Sequence, residues 1–350
     1  MAELGLRDTN ARVDLVNSTL LRVGLDLDGS LESLGDSMTD LADALAAAGG
    51  CTLVRFRTRT PAAVGDVAIA TRAWWSPWWR RGMGRSIDRL LPPVDVVHVA
   101  GVATPPTRYV PEIVSVDDLR ALREESRTSQ RGAQLRRVIA RGAVVVASSQ
   151  VARDEVLRNL RVARDRVVVV PPAVPNVDPT VDGDALVVNV TGAVEHFLRL
   201  APALTSLGER LDCRVIALTS SSASQRIRAK GIDVDLRPRR GARQVLALAR
   251  VVLHVSDGAR FPSFAIAALE AEVPTIARST PINRELLNGA AELAESDGDV
   301  IALIEDLWFN EPRRSLARAA GRVRAGDFAP SSAATAYLNL YGDVVRGWGS

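Results

Sequence analysis

Runs of valine, leucine and isoleucine, separated by amphipathic stretches, recur along most of the chain and constrain its fold more than any other feature. Typical runs are VDVVHVAG from Val94, AVVVASS from Ala143 and ALVVNVTG from Ala185. Continuous apolar runs are typical of strands that are buried on both faces of a sheet. The amphipathic stretches between them, such as SLGDSMTDLADALAAAGG from Ser33, predict helices that cover those faces. The sequence therefore predicts an α/β protein with parallel, doubly wound sheets.

A proline-rich stretch divides this pattern into two halves. The segment PPAVPNVDPTVDGD, from Pro171 to Asp184, has no periodicity and is typical of a linker. We predict an N-terminal Rossmann-like domain over residues 1–172, a linker over 173–184 and a C-terminal Rossmann-like domain over 185–329. A final helical segment over 330–350 is predicted to pack back on the first domain. The two parallel sheets would then face each other across a cleft at the carboxyl ends of their strands, where ligands bind in such folds.

Composition excludes several classes of function. The chain of 350 residues has 44 basic and 41 acidic residues, and the two signs are interspersed, so we predict no nucleic-acid partner. No apolar segment reaches the roughly 18–20 residues of a spanning helix, and no secretory signal is recognisable, so we expect a cytoplasmic protein. Cys51 and Cys213 show no metal-ligand spacing with each other.

The most informative segment extends from Val251 to Leu307. It contains the strand-like run VVLHVS, a helix that includes LEA, the short strand PTIA and then RELLNGAAELAESDGD. This succession resembles the donor-binding region of retaining glycosyltransferases with the GT-B fold, family 4. The first half agrees with the family through VVHVAG, a strand ending VDDL and the stretch RRVIARGAVVVASSQVARDEVLRNL. The resemblance covers the chain from Leu21 to about Tyr341.

The resemblance implies an activity and its substrates. It implies transfer of a hexose, with retention of configuration, from a nucleotide sugar to a glycan or lipid-linked acceptor of the cell envelope. No metal and no other cofactor is implied. Two alternatives are a catalytically inactive pseudo-glycosyltransferase that acts as a binding or scaffolding subunit, and a sugar-phosphate epimerase of similar fold, which the linker and the LEA segment fit less well.

The resemblance also implies donor-binding residues. Glu270 stands at the second glutamate of the family's E-x(7)-E motif, which binds the ribose hydroxyls. A carboxylate suits that role because it accepts charge-assisted hydrogen bonds from two hydroxyls. Phe264 matches the motif's phenylalanine, and the backbone at Ser263 and Ala265 would face the donor sugar. Alternatively, Glu270 only caps its helix or forms a salt bridge within it.

Two departures from the family pattern lie in the donor-binding region. Pro262 replaces the first glutamate of the motif, and the loop that contains Gly192, VTGAVE, lacks the arginine and the following lysine that grip the diphosphate in the family. Preorganised cations stabilise the charge that develops on such a leaving group. Arg260 is the candidate to replace one of them, unless it is a solvated loop residue.

On the acceptor side, the strand ending V-D-D-L resembles the family's I-H-D-L, whose histidine lies at the cleft. Asp117 replaces that histidine, and Asp118 matches the aspartate. Either carboxylate would act on an acceptor hydroxyl as a base. Equally, an aspartate at this strand end would cap the next helix.

A cluster of tryptophans and arginines is the remaining conspicuous feature. Such a cluster suits a membrane surface with anionic lipids, which would place the protein peripherally on the inner face of the membrane, or a protein partner. The alternative is an irregular helix that packs its tryptophans on the first domain. The residues are Trp74, Trp75, Trp78, Trp79, Arg80 and Arg81.

The three histidines point to no catalytic centre. His98 and His254 lie inside strand-like runs, where an imidazole with satisfied hydrogen bonds in the core is the more frequent outcome, and His196 begins a helix. Their spacing predicts neither a catalytic triad nor a metal site.

Overall fold

Two parallel β-sheets with helices on both faces form the protein, which confirms the predicted fold class. The computed structural model describes residues 20–28, 37–58, 64–69, 85–100, 106–116, 118–122, 130–180, 183–239 and 242–348. Asp117 and the predicted cluster Trp74, Trp75, Trp78, Trp79, Arg80 and Arg81 lie outside these residues. Their predicted roles therefore have no structural description.

The first sheet has seven strands in the order β3-β2-β1-β4-β5-β6-β7. Its neighbouring strands are parallel, with β4 beside β1 through the pair Val23–Val96. The strands are β1 (Leu21–Asp26), β2 (Cys51–Arg57), β3 (Val67–Ala68), β4 (Val96–Ala100), β5 (Glu112–Val116), β6 (Val144–Ala147) and β7 (Val167–Val169). The α-helices described in this part are α1 (Ser37–Ala48), α2 (Gln130–Ala140) and α3 (Gln150–Asn159).

The second sheet has six strands in the order β10-β9-β8-β11-β12-β13, again parallel. The strands are β8 (Ala185–Thr191), β9 (Arg214–Thr219), β10 (Asp235–Pro238), β11 (Ala249–Ser256), β12 (Thr275–Arg278) and β13 (Glu292–Ala294). The helices are α4 (Val194–Leu211), α5 (Ser221–Ala229), α6 (Ala242–Leu246), α7 (Ser263–Glu270), α8 (Pro281–Leu287), α9 (Asp297–Phe309), α10 (Glu311–Ala325) and α11 (Pro330–Gly347).

Apolar cores on both faces explain why the strands have continuous apolar runs. Every residue of β8 is buried: Leu186, Val188 and Val190 pack toward α4 and α9, whereas Ala185 and Val187 pack toward α7 and α8. A strand with helices on both sides has no face exposed to solvent, so the regular alternation of apolar and polar residues disappears from its sequence.

The last helix, α11, returns to the first domain. Tyr337 and Tyr341 of α11 belong to the same apolar core as Leu41 and Leu45 of α1. Pro330 occupies the first turn of α11, where proline stabilises a helix start. Residues 171–180 have neither helix nor strand and connect the two sheets, whereas the exact limits of the two domains stay a prediction.

Candidate functional site at the carboxyl ends of the two sheets

Each sheet has one place where the order of the strands reverses. On one side of it successive strands are added toward one edge of the sheet, and on the other side they are added toward the opposite edge. In the first sheet this reversal lies between β1 and β4, and in the second it lies between β8 and β11. Ligands bind at such switch points in open α/β sheets, outside the carboxyl ends of the strands. The candidate site is therefore the region where these two carboxyl edges meet.

Contacts between the edges show that they face each other. Leu119, in the turn after β5, donates its N–H to the carbonyl of Ala259, after β11, at 2.8 Å. Asp40 in α1 and Arg243 in α6 form an ion pair of 2.7 Å. The carboxylate of Glu285 in α8 accepts hydrogen bonds from the first N–H groups of α3, at 2.7 and 2.8 Å. Each of these contacts joins segments that follow strands of different sheets.

Asp118 lies at the centre of this contact. Its carboxylate accepts hydrogen bonds from Arg120, at 2.7 and 2.9 Å, and from Nη2 of Arg260, at 3.0 Å. It also caps the 3-10 turn Leu119–Ala121 by accepting from the N–H of Arg120. Burial alone would raise the pKa of Asp118, but the hydrogen bond from Arg120 and the charges of both arginines lower it to about 2. The carboxylate is thus ionised and a weak base at neutral pH.

Gly192 follows β8 directly and lies against the loop after β11. Its φ is +73°, and it forms an isolated bridge with Ser256. A Cβ on Gly192 would lie 2.3 Å from Oδ2 of Asp257, so only glycine fits here. Asp257 is held in place because its Oδ1 accepts from the N–H of Ala259 at 3.0 Å. A carboxylate therefore stands beside the loop in which the family would have cations.

The N-terminus of α7 enters the same region. Ser263 is half-buried, whereas the side chains of Phe264 and Ala265 are buried in the core on the α7 face of the sheet. Pro262 precedes the helix and offers no side-chain cap. The backbone of this first turn thus presents the positive end of the helix dipole toward the cleft.

Glu270 lies at the opposite end of α7. It is the last residue of the helix, so it stands roughly 10 Å along the helix axis from Ser263, at about 1.5 Å per residue. Gly192 forms its bridge with the last residue of β11, and Arg260 and Ser263 lie in the segment that follows β11. Glu270, in contrast, stands at the far end of α7. Among the described residues the Glu270 carboxylate has no ion pair, so an internal salt bridge in its helix is not formed.

Sequence analysis missed a set of polar residues at the switch point of the second sheet. Asn189 of β8 and His254 of β11 pair in register, and Arg239, just after β10, donates from Nη2 to the carbonyl of Val190. Asn189, His254 and Arg239 are at most 9% exposed. The available signal was a polar residue two places before the end of both apolar runs, VVNVT and VLHVS.

Burial fixes the charge state of His254. Removal of the ring from water, followed by the nearby charge of Arg239, lowers the pKa of His254 to about 3. Asn189 donates from Nδ2 to Nδ1 of His254 at 3.0 Å. A neutral imidazole whose Nδ1 accepts carries its proton on Nε2, so this ring presents a single N–H donor.

Two further properties concern metals and membranes. Within the described ranges, no three His, Cys, Asp or Glu residues lie close enough together to hold a metal ion. No helix in that same part of the chain has the length and apolar character needed to cross a bilayer. The expected independence of metal stays a prediction.

Comparison with solved structures identifies the architecture. A glycosyltransferase from Rickettsia africae ESF-5 is 13% identical with a TM-score of 0.66, over 94% of this chain and 100% of that one. Anabaena HepE, solved with UDP and glucose, is 13% identical with a TM-score of 0.65, over 92% of this chain and 99% of its own. The chain has the GT-B fold.

WaaG, a glycosyltransferase involved in lipopolysaccharide biosynthesis, is equally similar to this GT-B protein. It is 13% identical with a TM-score of 0.65, over 92% of this chain and 99% of WaaG. No protein-family model matches the sequence, and no curated protein sequence is significantly similar to it. At these identities the likeness establishes the fold, and the site has to be argued from its own residues.

Proposed function

We propose that this GT-B protein is a glycosyltransferase that moves a hexose, with retention, from a nucleotide sugar to a glycan or lipid-linked acceptor of the cell envelope. One observation carries the proposal: the carboxyl edges of two parallel sheets meet at Asp118 and Arg260, so that loops of both domains border one site. A site of this kind holds donor and acceptor on opposite sides and orients them for reaction.

The second domain supplies the donor side in this proposal. Arg260 contacts the diphosphate, because a guanidinium matches phosphoryl oxygens in both charge and geometry. Gly192 lets the backbone approach the donor closely. The first turn of α7, at Ser263, Phe264 and Ala265, positions the sugar through backbone N–H groups.

Glu270 is the proposed ligand of the ribose hydroxyls. Its half-buried carboxylate has no ion pair among the described residues and is therefore available to accept hydrogen bonds. Its distance from the first turn of α7 makes it the residue that most needs a separate test.

Chemistry would take place between the two edges. The acceptor hydroxyl oxygen bonds to C1 of the hexose while the bond from C1 to the diphosphate oxygen breaks, and the hydroxyl proton passes to the leaving diphosphate. No metal is required, since Arg260 offsets the negative charge that gathers on the leaving group. Asp117 and Asp118 are the proposed acceptor-side residues. Asp118, ionised and bound to Arg260, would orient that arginine as well as the acceptor.

The tryptophan and arginine cluster extends the proposal to location. Trp74, Trp75, Trp78, Trp79, Arg80 and Arg81 would contact a membrane surface or a protein partner. Indole rings favour the boundary between water and lipid, and guanidinium groups bind lipid phosphates there. A lipid-linked acceptor would be reached from that position on the inner face of the membrane.

Calorimetric titration with UDP-, GDP- and ADP-sugars tests the proposal. We expect one nucleotide class to bind, and R260Q to weaken that binding at least ten-fold, whereas exposed R228Q leaves it unchanged. No binding of any donor at millimolar concentration would overturn the transferase proposal in favour of a scaffolding subunit. E270Q, compared with exposed E209Q, tests the ribose role alone: unchanged affinity in E270Q would remove Glu270 from the site.

A further inference from the structure

Four polar side chains share one face of two adjacent strands in the second sheet. Asn189 and Thr191 of β8 pair in register with His254 and Ser256 of β11. They are buried, with exposures of 1% for Asn189, 2% for His254, 3% for Ser256 and 8% for Thr191. We call these four residues, together with Arg239, the switch-point cluster. The cluster occupies the carboxyl ends of the two strands at which the connections of this sheet diverge.

Hydrogen bonds satisfy only part of the cluster. Asn189 donates from Nδ2 to Nδ1 of His254, at 3.0 Å, and to Oγ1 of Thr191, at 3.2 Å. Nε2 of His254 and Oγ of Ser256 are buried without a hydrogen-bond partner in the described part of the chain. Buried polar atoms are nearly always paired in folded proteins, so two adjacent unpaired donors require an explanation.

Arg239 places a cation at the same point. Its side chain is nearly buried, and Nη2 donates to the carbonyl of Val190, between the cluster residues Asn189 and Thr191. Arginine keeps its charge when buried, in contrast to histidine. His254 stays neutral beside it, since burial and the charge of Arg239 both lower its pKa. The cluster thus combines one cation with two neutral donors.

We propose that the switch-point cluster binds phosphoryl oxygens of the donor, with Arg239 as the cation and His254 Nε2–H and Ser256 Oγ–H as neutral donors. This inference rests on the proposed function. In it, the switch-point cluster takes the place of the arginine and lysine that the loop containing Gly192 lacks. An anion is the ligand that two donors and a guanidinium recognise together. Such an anion would reach the cluster at the end of β8, beside Gly192, where the carboxylate of Asp257 now lies.

Two other groups shape the expected ligand. Oδ1 of Asn189 is buried without a partner in the same part of the structure, and as an acceptor it requires a donor, which a hydroxyl of the ligand would supply. A ligand with both phosphoryl and hydroxyl groups, such as a nucleotide sugar, therefore fits better than pyrophosphate alone. The carboxylate of Asp257 lies against Gly192 and repels an incoming anion, so entry requires its displacement.

Nuclear magnetic resonance of the histidine rings tests the inference without any substitution. The chain has three histidines, and a titration with UDP would be followed at Nε2 of ¹⁵N-labelled His254. We expect this resonance to shift and to saturate together with binding. His98 is the internal control, because both of its ring nitrogens already have partners within the protein. Calorimetry on the same sample reports binding independently.

The two measurements separate the possible failures. UDP that binds by calorimetry without shifting the His254 resonance would overturn the inference and leave the transferase proposal standing. A protein that binds no UDP, GDP or ADP would overturn the proposed function and the inference together. A His254 shift with UDP that is larger than the shift with pyrophosphate supports both.

Substitution of Arg239 provides a second test. R239Q removes the cation and is expected to weaken UDP binding at least ten-fold, whereas R239K restores part of it. R237Q is the matched control, since Arg237 lies two residues away on β10 and pairs with Asp235 near the surface. Equal UDP affinities of R239Q and R237Q would contradict the role of Arg239, provided that thermal unfolding shows both variants to be folded.

Discussion

His98 and His254 occupy corresponding places in the two sheets. His98 lies on β4 beside β1, and His254 lies on β11 beside β8, so each stands next to the switch point of its sheet. Both rings are almost inaccessible to solvent, and burial lowers the pKa of each to about 3. Neither burial nor pKa therefore distinguishes them.

Their partners distinguish them. His98 contacts the hydroxyl of Tyr341 through Nδ1, at 2.7 Å, and the hydroxyl of Ser115 through Nε2, at 2.8 Å. Nδ1 of His98 thus holds α11 on the first sheet, and Nε2 joins β4 to the neighbouring strand β5. His254 uses only Nδ1, on Asn189, and its Nε2 has no partner among the described residues. The first switch point therefore serves as a structural joint, whereas the second is the one for which we propose ligand binding.

Alanine substitution of each histidine should separate the two roles most clearly. H98A is expected to lower the free energy of unfolding by about 4 kcal/mol, because it creates a cavity and removes one partner each from the buried Tyr341 hydroxyl and the half-buried Ser115 hydroxyl. H254A should cost about 2 kcal/mol, because it removes one hydrogen bond and also an unpaired donor. Urea denaturation measures both values.

The same pair of variants should show the reverse order for UDP affinity. H98A, while folded, should keep the wild-type affinity, whereas H254A should lose affinity in calorimetric titration. Equal stability losses, or a larger loss in H254A, would contradict the distinction between joint and binding site.

The stability of the protein should decrease as the pH falls below about 6.5. In the folded protein, burial lowers the pKa of each ring to about 3, so each ring stays neutral well below pH 6.5. In the unfolded chain each ring takes up a proton near pH 6.5. The unfolded state therefore binds more protons in this window, and each ring costs about 1.4 kcal/mol per pH unit. His196, whose pKa is also lowered by burial, adds to this dependence from the second domain.

Urea denaturation between pH 5.0 and 6.5 checks this dependence. H98Q should remove the contribution of His98, which is about half of the pH dependence that His98 and His254 cause together. The window lies well above the pKa of Asp118, about 2, so the carboxylate of Asp118 stays ionised throughout. An unchanged slope in H98Q would show that His98 is not neutral and buried as the structure has it.

The fold was predictable because its signal is local. Continuous apolar runs such as ALVVNVTG predict strands covered on both faces, and alternation with amphipathic stretches predicts their parallel arrangement. The resemblance to GT-B glycosyltransferases rested on the order of these elements, and comparison with solved structures confirmed the fold.

The site was less predictable because its contacts join distant positions. Asp118 and Arg260 are 142 residues apart, and His98 and Tyr341 are 243 residues apart, so neither pair has a spacing to recognise. Motif matching placed Glu270 in the donor site, and that role stays a prediction. His254 and His98 both lie inside apolar strand-like runs, and only the packed structure shows which of them retains an unpaired N–H.

Asp118 links the first sheet to the second through its ion pair with Arg260. Of the substitutions that should change UDP affinity, that of Asp118 should change it the least. D118N removes the negative charge that holds Arg260. The side chain of Arg260 is 10% exposed, and that of Asp118 is 17% exposed. Arg260 then no longer divides its charge between a carboxylate and the diphosphate, so we expect UDP affinity to rise about three-fold as Arg260 turns to the diphosphate. Calorimetry measures this change, with D154N on the exposed side of α3 as the control.

A simultaneous assay of sugar transfer gives D118N its second readout. If Asp118 also orients the acceptor, turnover should fall while UDP affinity rises, because the two effects arise on opposite sides of the cleft. Weaker UDP binding in D118N would mean that the carboxylate positions Arg260 for the donor. In that case the contact between the sheets would belong to the binding-competent state, and Arg260 would depend on the first domain for its place in the donor site.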